Sequence, residues 1–370
     1  MSIWNFADLL PPIDERYRIT LGEGNTPLVR SRHIGPSLGM EHLYFKLETG
    51  NPTGSYKDRF AASGVSHALA QGKRAILATS SGNSGAALAA YCASVQIPCC
   101  LAIVETTPES KLRQMLAYGA KLFRIRRFGP DPQVTQEIVD GMKELADFLG
   151  ADLQISAFSF APLAMAGVQT MAYELATQLA DRIDHVFAPA GGGGVVAGVA
   201  QGFVQLCENS RSNLAPAVHC VQPEGNNTIV GPLRAGQERA LACTCTTTIS
   251  GLQVAGITDG HEAIKSCRSS GGTGYLATDD FIYATQARLA REEGIFAEPA
   301  GATALAGALE ALQGGEIKPD SVVVCLVTGS GFKDEAAVER MVHNASSPLV
   351  EDFAAFKSEC IQVIENVSHR

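Results

Sequence analysis

One lysine, Lys57, stands where a side-chain amine is suited to covalent chemistry. The turn-forming residues 51–55 (Asn-Pro-Thr-Gly-Ser) precede it, and an apolar helical stretch is predicted from Arg59 to Ala70. A helix N-terminus carries partial positive charge and the ring of Tyr56 excludes water, so both neighbours favour the neutral amine. A neutral amine attacks an aldehyde to form a Schiff base. A solvated lysine in a surface loop is the alternative that this segment alone leaves open.

Three further loops have the composition of ligand-binding turns, and each follows a short apolar strand. The predicted strands are Ala75–Thr79, His185–Pro189 and Ser321–Val327, and the loops are 80–85 (Ser-Ser-Gly-Asn-Ser-Gly), 190–195 (Ala-Gly-Gly-Gly-Gly-Val) and 328–331 (Thr-Gly-Ser-Gly). The first loop leads into a helix predicted from Ala86 to Ala93, so its amides and hydroxyls suit a carboxylate or a phosphate. Four consecutive glycines let backbone amides approach an anion, because no Cβ blocks the way. Each loop alone is compatible with a tight turn, but the four segments together favour one ligand site.

The ensemble of motifs resembles the fold-type II pyridoxal-phosphate enzymes, and among them it is most similar to threonine synthase. The motifs are Gly22–Leu28, Asn51–Arg59, Ser81–Asn83, Gly191–Gly194, Glu293–Ala300 and Thr328–Gly329, in this order along the chain. The resemblance implies that Lys57 binds the cofactor covalently and that Asn83 contacts its 3′-oxygen. It further implies that Thr328 hydrogen-bonds the pyridine nitrogen and that the phosphate is held by Gly191, Gly192, Gly193, Gly194 and Val195.

A hydroxyl at the ring nitrogen, that of Thr328, predicts the type of reaction. A carboxylate there would stabilise a protonated pyridinium, which suits transamination, whereas a hydroxyl leaves the nitrogen largely unprotonated. The hydroxyl therefore favours elimination and replacement at the β or γ carbon, with Lys57 moving protons as base and acid. The substrate carboxylate also needs a seat, which we assign to Thr79, Ser80, Ser81 and Ser84.

Several positions bear on the substrate, and they point in different directions. Asp58 and Arg59 after the lysine, and Lys111 near the expected substrate phosphate, are similar to threonine synthase. The four-glycine loop is instead typical of the dehydratases. Segment 158–167 carries no charge where threonine synthases bind the phosphate of O-phosphohomoserine, and a family arginine is replaced near Gln253.

Four functions are compatible with these motifs. The first is threonine synthase-like conversion of O-phosphohomoserine to threonine and phosphate. The second is a β-reaction, either ammonia-lyase action on serine or threonine or β-replacement on an activated serine. The third, a non-catalytic cofactor-binding module, is disfavoured because Lys57, Asn83 and Thr328 are all present. The fourth is a dinucleotide site at the Gly-x-Gly-x-x-Ala pattern of 192–197, which would leave Lys57 and Thr328 without roles.

Composition excludes several other classes. With 370 residues, 46% hydrophobic and 18% charged, the chain can bury a large core and form two domains. Its net charge of −9 argues against a nucleic-acid surface. Residues 1–12 lack a basic segment and a long apolar core, and Pro98 breaks the apolar stretch 86–104, so neither a secretory signal nor a membrane span is expected. The ten cysteines form no Cys-x-x-Cys pair, which favours a reduced, cytoplasmic, metal-free protein. We also expect an amino acid as the small-molecule partner and a homodimer.

Short apolar strands alternate with helical stretches, which predicts mostly parallel sheets covered by helices on both faces. Besides the strands named above, the predicted strands are Cys99–Val104, Lys121–Ile125 and His219–Gln222. The resemblance implies two three-layer αβα domains with the cofactor in the cleft between them. We expect a smaller domain at 46–158 and a larger one at 1–45 plus 159–345. A C-terminal tail at 346–370 is expected to pack on the larger domain or on a second subunit.

Overall fold

A computed structural model describes residues 2–80, 82–129 and 131–367. Ten strands lie within these residues: β1 (Leu28–Arg30), β2 (Leu43–Leu47), β3 (Ile76–Ala78), β4 (Cys99–Val104), β5 (Lys121–Ile125), β6 (Asp152–Gln154), β7 (His185–Pro189), β8 (Ala217–Pro223), β9 (Gly274–Ala277) and β10 (Val323–Val327). They form a six-stranded sheet in the order β1-β2-β10-β7-β8-β9 and a four-stranded sheet in the order β5-β4-β3-β6. Every neighbouring pair is parallel except β1 and β2, which confirms the predicted α/β fold with mostly parallel sheets.

Helices connect these strands and cover both sheets. Within the same residues the α-helices are α1 (Ile34–Ser37), α2 (Lys57–Ala70), α3 (Asn83–Ser94), α4 (Glu109–Ala117), α5 (Pro132–Leu149), α6 (Pro162–Gln178), α7 (Gly194–Glu208), α8 (Val230–Arg234), α9 (Gly260–Ser269), α10 (Asp279–Glu293), α11 (Pro299–Gln313), α12 (Glu335–Val342) and α13 (Phe353–Val367). The four-stranded sheet is built wholly from residues 76–154. This range lies inside the segment 46–158 expected as the smaller domain, and the division into two domains stays a prediction.

The strand β10 shows why apolar runs in this sequence could be recognised as strands. All five of its residues are buried. Val324 and Leu326 belong to the core that includes α2, α3, α6 and α7, whereas Val323, Cys325 and Val327 belong to the core that includes α11. A parallel strand covered on both faces is apolar at every position, so its sequence is a continuous run rather than an alternation.

The carboxyl ends of three parallel strands lead directly into the predicted ligand-binding loops. After β3 come Thr79 and Ser80, after β7 comes the glycine run that begins at Gly191, and after β10 comes Thr328. In open α/β sheets, ligands bind outside the carboxyl ends of the strands. The loops after β7 and β10 therefore lie at one edge of the six-stranded sheet, and the loop after β3 lies at the corresponding edge of the four-stranded sheet.

A buried ionic cluster anchors the helix that begins at Lys57. The Arg59 guanidinium is fully buried, with Nε 2.7 Å from Glu48 Oε2 and Nη1 2.6 Å from Glu174 Oε1. Lys46 Nζ lies 2.6 Å from the other Glu174 oxygen. Burial alone would raise the pKa of Glu174, but Arg59 and Lys46 together lower that pKa to about 2. Arg59 is thus bound inside the protein, and its part in the similarity to threonine synthase reflects folding rather than substrate contact.

The expected C-terminal tail at 346–370 contains the helix α13. Phe353, Phe356 and Val363 on this helix, together with Leu349 before it, are exposed apolar side chains. The surface on which the tail packs stays a prediction. Among the residues described, no helix has the length and apolar character needed to cross a membrane.

Candidate active site

Lys57 is the first residue of α2, and hydrogen bonds fix the chain around it. The backbone amide of Tyr56 donates to the carbonyl of Thr328 at 3.0 Å, and Ser55 forms a bridge with Gly329. These contacts tie the start of α2 to the end of β10. The Lys57 ammonium donates to the hydroxyl of Ser156 and lies 4.6 Å from the centroid of the Tyr56 ring. The backbone that precedes Lys57 thus lies beside that of Thr328, and the roles of both residues stay predictions.

The buried carboxylate of Glu298 lies beside Asn83 and beside Gly329, the neighbour of Thr328. Asn83 Nδ2 donates to Glu298 Oε1 at 2.8 Å. A Cβ built at Gly329, the neighbour of Thr328, would overlap the same Glu298 oxygen. Burial raises the pKa of Glu298 to about 7, although the Asn83 hydrogen bond and the ammonium groups of Lys333 and Lys111 oppose this rise. The Thr328 hydroxyl has no hydrogen-bond partner in the described part of the chain, so it is free to meet a ligand.

The glycine run Gly191–Gly194 forms an anion cradle at the start of α7. Gly193 has φ +99°, a left-handed conformation, and no side chain caps the helix. The amides of Gly194, Val195 and Val196 therefore lack an acceptor among the described residues. Free amides at the N-terminus of a long helix are suited to a phosphate. The run thus fits the phosphate of the cofactor implied by the resemblance.

The loop 251–259 covers the other side of this glycine run. A Cβ at Gly191 would lie 2.9 Å from Val254 Cγ2, and one at Gly192 would overlap the Thr258 hydroxyl. Thr258 Oγ1 also donates to the carbonyl of Gly192 at 3.1 Å. Two of the glycines are therefore required by close packing of the protein on itself, in addition to any ligand.

Asp259 lies outside the predicted motifs. Its carboxylate contacts both the glycine run and segment 156–159, which contains Ser156, the hydrogen-bond partner of Lys57. It accepts hydrogen bonds from the amides of Phe158 at 2.8 Å and Ser159 at 3.3 Å. A Cβ at Gly194 would lie 2.8 Å from the same carboxylate. Burial raises the pKa of Asp259, whereas these amides and the nearby Lys57 oppose the rise. Asp259 therefore orders segment 156–159, which includes the partner of Lys57.

The predicted seat for the substrate carboxylate lies at the turn between β3 and α3. Gly82 is the N-cap of α3, and its amide donates to Ser80 Oγ at 3.3 Å. Ser84 lies in the first turn of the helix and is buried, and Thr79 is half-buried at the end of β3. Ser81 lies outside the described residues. The free amides of a helix N-terminus suit a carboxylate, and the roles of these residues stay predictions.

Two lysines, Lys111 and Lys333, lie on and beside α4. Lys111 Nζ donates to Ser250 Oγ at 2.5 Å and lies 3.9 Å from Asp334 Oδ2. Lys333 Nζ donates to Gln114 Oε1 at 2.5 Å, and Gln114 lies one helical turn after Lys111 on α4. Burial lowers the pKa of Lys333, while the carboxylates of Glu298 and Asp58 oppose this shift. Both ammonium groups therefore have a neutral oxygen as their closest partner, which leaves them available to an anion.

Sequence analysis named residues within or beside the motifs, and it did not name their contact partners from distant parts of the chain. Ser156 is 99 residues from Lys57, and nothing in its local sequence indicates the contact. Asp259 gave no signal for the same reason. Lys333 follows the Thr-Gly-Ser-Gly loop by two residues, so its position could have indicated a role. Gln253 was considered as a replacement for a substrate-binding arginine, and its Nε2 donates to Thr247 O within its own loop.

The site has no feature of a metal centre among the residues described. No group of three or more His, Cys, Asp or Glu side chains there could hold a metal ion. The arrangement of a lysine, a free hydroxyl, an amide and an anion cradle fits pyridoxal phosphate instead. Lys57 would bind its aldehyde, Asn83 its 3′-oxygen, Thr328 its ring nitrogen, and the start of α7 its phosphate.

Comparison with known proteins agrees with this fit. A family model described as pyridoxal-phosphate dependent enzyme matches residues 19–329. Threonine synthase from Methanocaldococcus jannaschii is 33% identical over 343 residues, which cover 92% of this chain and 82% of that protein. Maize serine racemase has the same fold, with a TM-score of 0.73, 23% identity and coverage of 93% of this chain and 97% of that one. So does threonine deaminase isoform 2 from Solanum lycopersicum, with a TM-score of 0.71, 23% identity and coverage of 86% and 83%. The chain therefore belongs to the pyridoxal-phosphate dependent enzymes of fold type II, and it is a lyase that uses this cofactor.

Proposed function

We propose that the protein catalyses a threonine synthase-like reaction, in which O-phosphohomoserine loses its γ-phosphate and gains water at Cβ to give threonine. The similarity to threonine synthases over nine-tenths of the chain supports this proposal. The observation that carries it is the pair of lysines Lys111 and Lys333: the closest partner of each Nζ is a neutral oxygen, and the Asp334 carboxylate lies 3.9 Å from Lys111. A dianionic leaving group needs such paired charge when water is excluded.

The residues of the site divide the work of elimination and replacement. Pyridoxal phosphate, when bound, supplies an electron sink for the bond electrons at the substrate α-carbon. Lys57 moves the proton at that carbon, and Ser156 holds its amine in place. The hydroxyl of Thr328 leaves the ring nitrogen unprotonated, which disfavours transamination. The turn at Ser80 and Ser84 orients the substrate through its α-carboxylate.

Product analysis on four substrates tests the proposal. The purified enzyme is incubated separately with O-phosphohomoserine, threonine, serine and O-phosphoserine, and phosphate, ketoacids and new amino acids are measured. Threonine and phosphate in equal amounts from O-phosphohomoserine are the expected result. Ketobutyrate from threonine, with no reaction on O-phosphohomoserine, would contradict it.

A β-reaction on serine, threonine or an activated serine is the second candidate, and segment 158–167 favours it. This segment carries no charged side chain, and Ala164 and Met165 within it are buried. A phosphate would find no arginine there to bind it in a bidentate manner. A smaller or less charged substrate would pack better against Phe158. The four-substrate assay separates this candidate from the first.

Removing either Lys111 or Lys333 is expected to weaken the use of a phosphorylated substrate selectively. Lys111→Met and Lys333→Met should each raise KM for O-phosphohomoserine by about tenfold, because each loses one charge-assisted hydrogen bond to the phosphate. Arg113→Met on the same helix is the control, since that side chain is 74% exposed and 3.9 Å from Glu335. Unchanged KM in both lysine variants would show that the phosphate is bound elsewhere.

Replacing Thr328 by aspartate is expected to change the chemistry while the cofactor is retained. A carboxylate at the ring nitrogen would keep it protonated, so Thr328→Asp should lower elimination or replacement by about 10²-fold. Thr328→Ser keeps the hydroxyl and is the matched control. The measurement is steady-state turnover together with the cofactor content of each purified variant. Equal turnover of the aspartate variant and the parent would refute the assignment of Thr328.

We further propose that the enzyme is a cytoplasmic homodimer. The ten cysteines are all free, which agrees with a reducing compartment. Light scattering on the purified enzyme would measure the subunit number, and a monomer at micromolar concentration would contradict this proposal.

A further inference from the structure

Glu298 belongs to a motif, residues 293–300, that was noted in the sequence but has no role in the reaction described above. It is the N-cap residue of α11, yet its side chain does not cap that helix. Its carboxylate is buried. Among the described residues, Asn83 Nδ2 is the one group that donates a hydrogen bond to it. A buried carboxylate that serves no helix end and forms no ion pair with a close cation needs another reason to be there.

The contact joins two distant parts of the chain at the predicted ring site. Glu298 and Asn83 are 215 residues apart, and the hydrogen bond between them is 2.8 Å long. The lack of a side chain at Gly329 leaves room for the carboxylate, because a Cβ there would overlap Glu298 Oε1. Glu298 therefore lies beside Asn83 and beside Gly329, the neighbour of Thr328, at the predicted ring site.

A carboxylate at this position determines how the Asn83 amide is turned. Ionised or not, it offers an oxygen that accepts from the amide nitrogen, so Asn83 Nδ2 faces Glu298. An amide nitrogen carries two hydrogens, and the second remains for another acceptor. The charged groups around Glu298 are Lys333, Lys111 and Asp334, none of which bonds to Asn83.

We infer that Glu298 is a positioning residue for the cofactor ring, which turns the Asn83 amide so that its second hydrogen is presented to the 3′-oxygen. The inference holds for any amino-acid substrate and is thus independent of the proposed threonine synthase reaction. It rests on the proposed contact between Asn83 and the cofactor, which one of the variants below tests by itself.

Two substitutions of Glu298 by side chains of similar length test whether its carboxylate acts as the hydrogen-bond acceptor of Asn83. Glu298→Met removes it, whereas Glu298→Gln keeps an oxygen that can accept from Asn83. The apoproteins are titrated with pyridoxal phosphate, and the affinity and the position of the visible absorption band are recorded. Glu298→Met is expected to bind about tenfold more weakly and to shift the band, whereas Glu298→Gln stays within about threefold of the parent. Thermal unfolding of each apoprotein verifies that the variants fold.

A double-mutant cycle tests whether Glu298 acts through Asn83. Asn83→Ala alone is expected to weaken cofactor binding and shift the band, and adding Glu298→Met to it is expected to change neither further. Parent-like affinity and band in Glu298→Met would overturn the inference. So would parent-like behaviour of Asn83→Ala, or effects of the two substitutions that add in the double variant.

Discussion

Replacing Lys57 by alanine is expected to abolish both the colour and the turnover of the enzyme. The amine of Lys57 is the group proposed to join the cofactor and to move the proton at the substrate α-carbon, so its loss should lower turnover by about 10³-fold or more. The visible absorption band should also be absent. Reduction of the parent enzyme with borohydride, followed by peptide mass spectrometry, should place the cofactor on the peptide that contains Lys57.

The control for this substitution is Lys318→Ala. Lys318 is exposed and precedes β10, whereas Thr328 follows that strand. This variant should keep the band and the turnover of the parent. A Lys57→Ala protein that retains both would refute the assignment, whatever the substrate is.

Replacing Arg59 by methionine is expected to have the largest effect on stability. Methionine fills most of the space but leaves the buried carboxylate of Glu48 without its cation and that of Glu174 with Lys46 alone. Breaking a buried ion pair by removing one partner costs about 3–5 kcal/mol, because an uncompensated charge remains inside. The free energy of unfolding of the apoprotein, measured by urea denaturation with circular dichroism, should fall by that amount.

An exposed ion pair provides the comparison. Arg16 Nε lies 3.3 Å from Asp14 Oδ2, and the Arg16 side chain is 71% exposed. Arg16→Met should therefore change the free energy of unfolding by less than about 1 kcal/mol. A similar small change for Arg59→Met would mean that the buried cluster contributes little to folding.

The strands that sequence analysis recognised are those whose environment leaves a simple pattern. The structure has β4, β5 and β7 at the predicted bounds, and β10 lies within the predicted 321–327. Four other strands were missed. β2 carries Lys46, whose charge is satisfied by Glu174, so a buried central strand includes a residue typical of the surface. β6 and β9 are edge strands of three and four residues, too short to show a period.

The helix starts were placed too late for a similar reason. The prediction began one helix at Arg59, but α2 begins at Lys57, and α3 begins at Asn83 rather than Ala86. Polar residues occupy the first turn of each helix, and an apolar pattern does not include them. The candidate site residues named from the sequence lie next to turns and glycines, whereas the contacts of Ser156 with Lys57 and of Glu298 with Asn83 exist only in the folded chain.

The packing of loop 251–259 on the glycine run changes how the four glycines bear on substrate preference. They are typical of dehydratases, yet at Gly191 and Gly192 any side chain would collide with Val254 or Thr258. The two segments therefore have to be exchanged together in a chimera with a relative. A chimera that receives from a relative only a loop with side chains in place of Gly191 and Gly192 should pack poorly, whereas one that receives both segments keeps the fit. Substrate engineering in this enzyme must transplant residues 191–194 and 251–259 together.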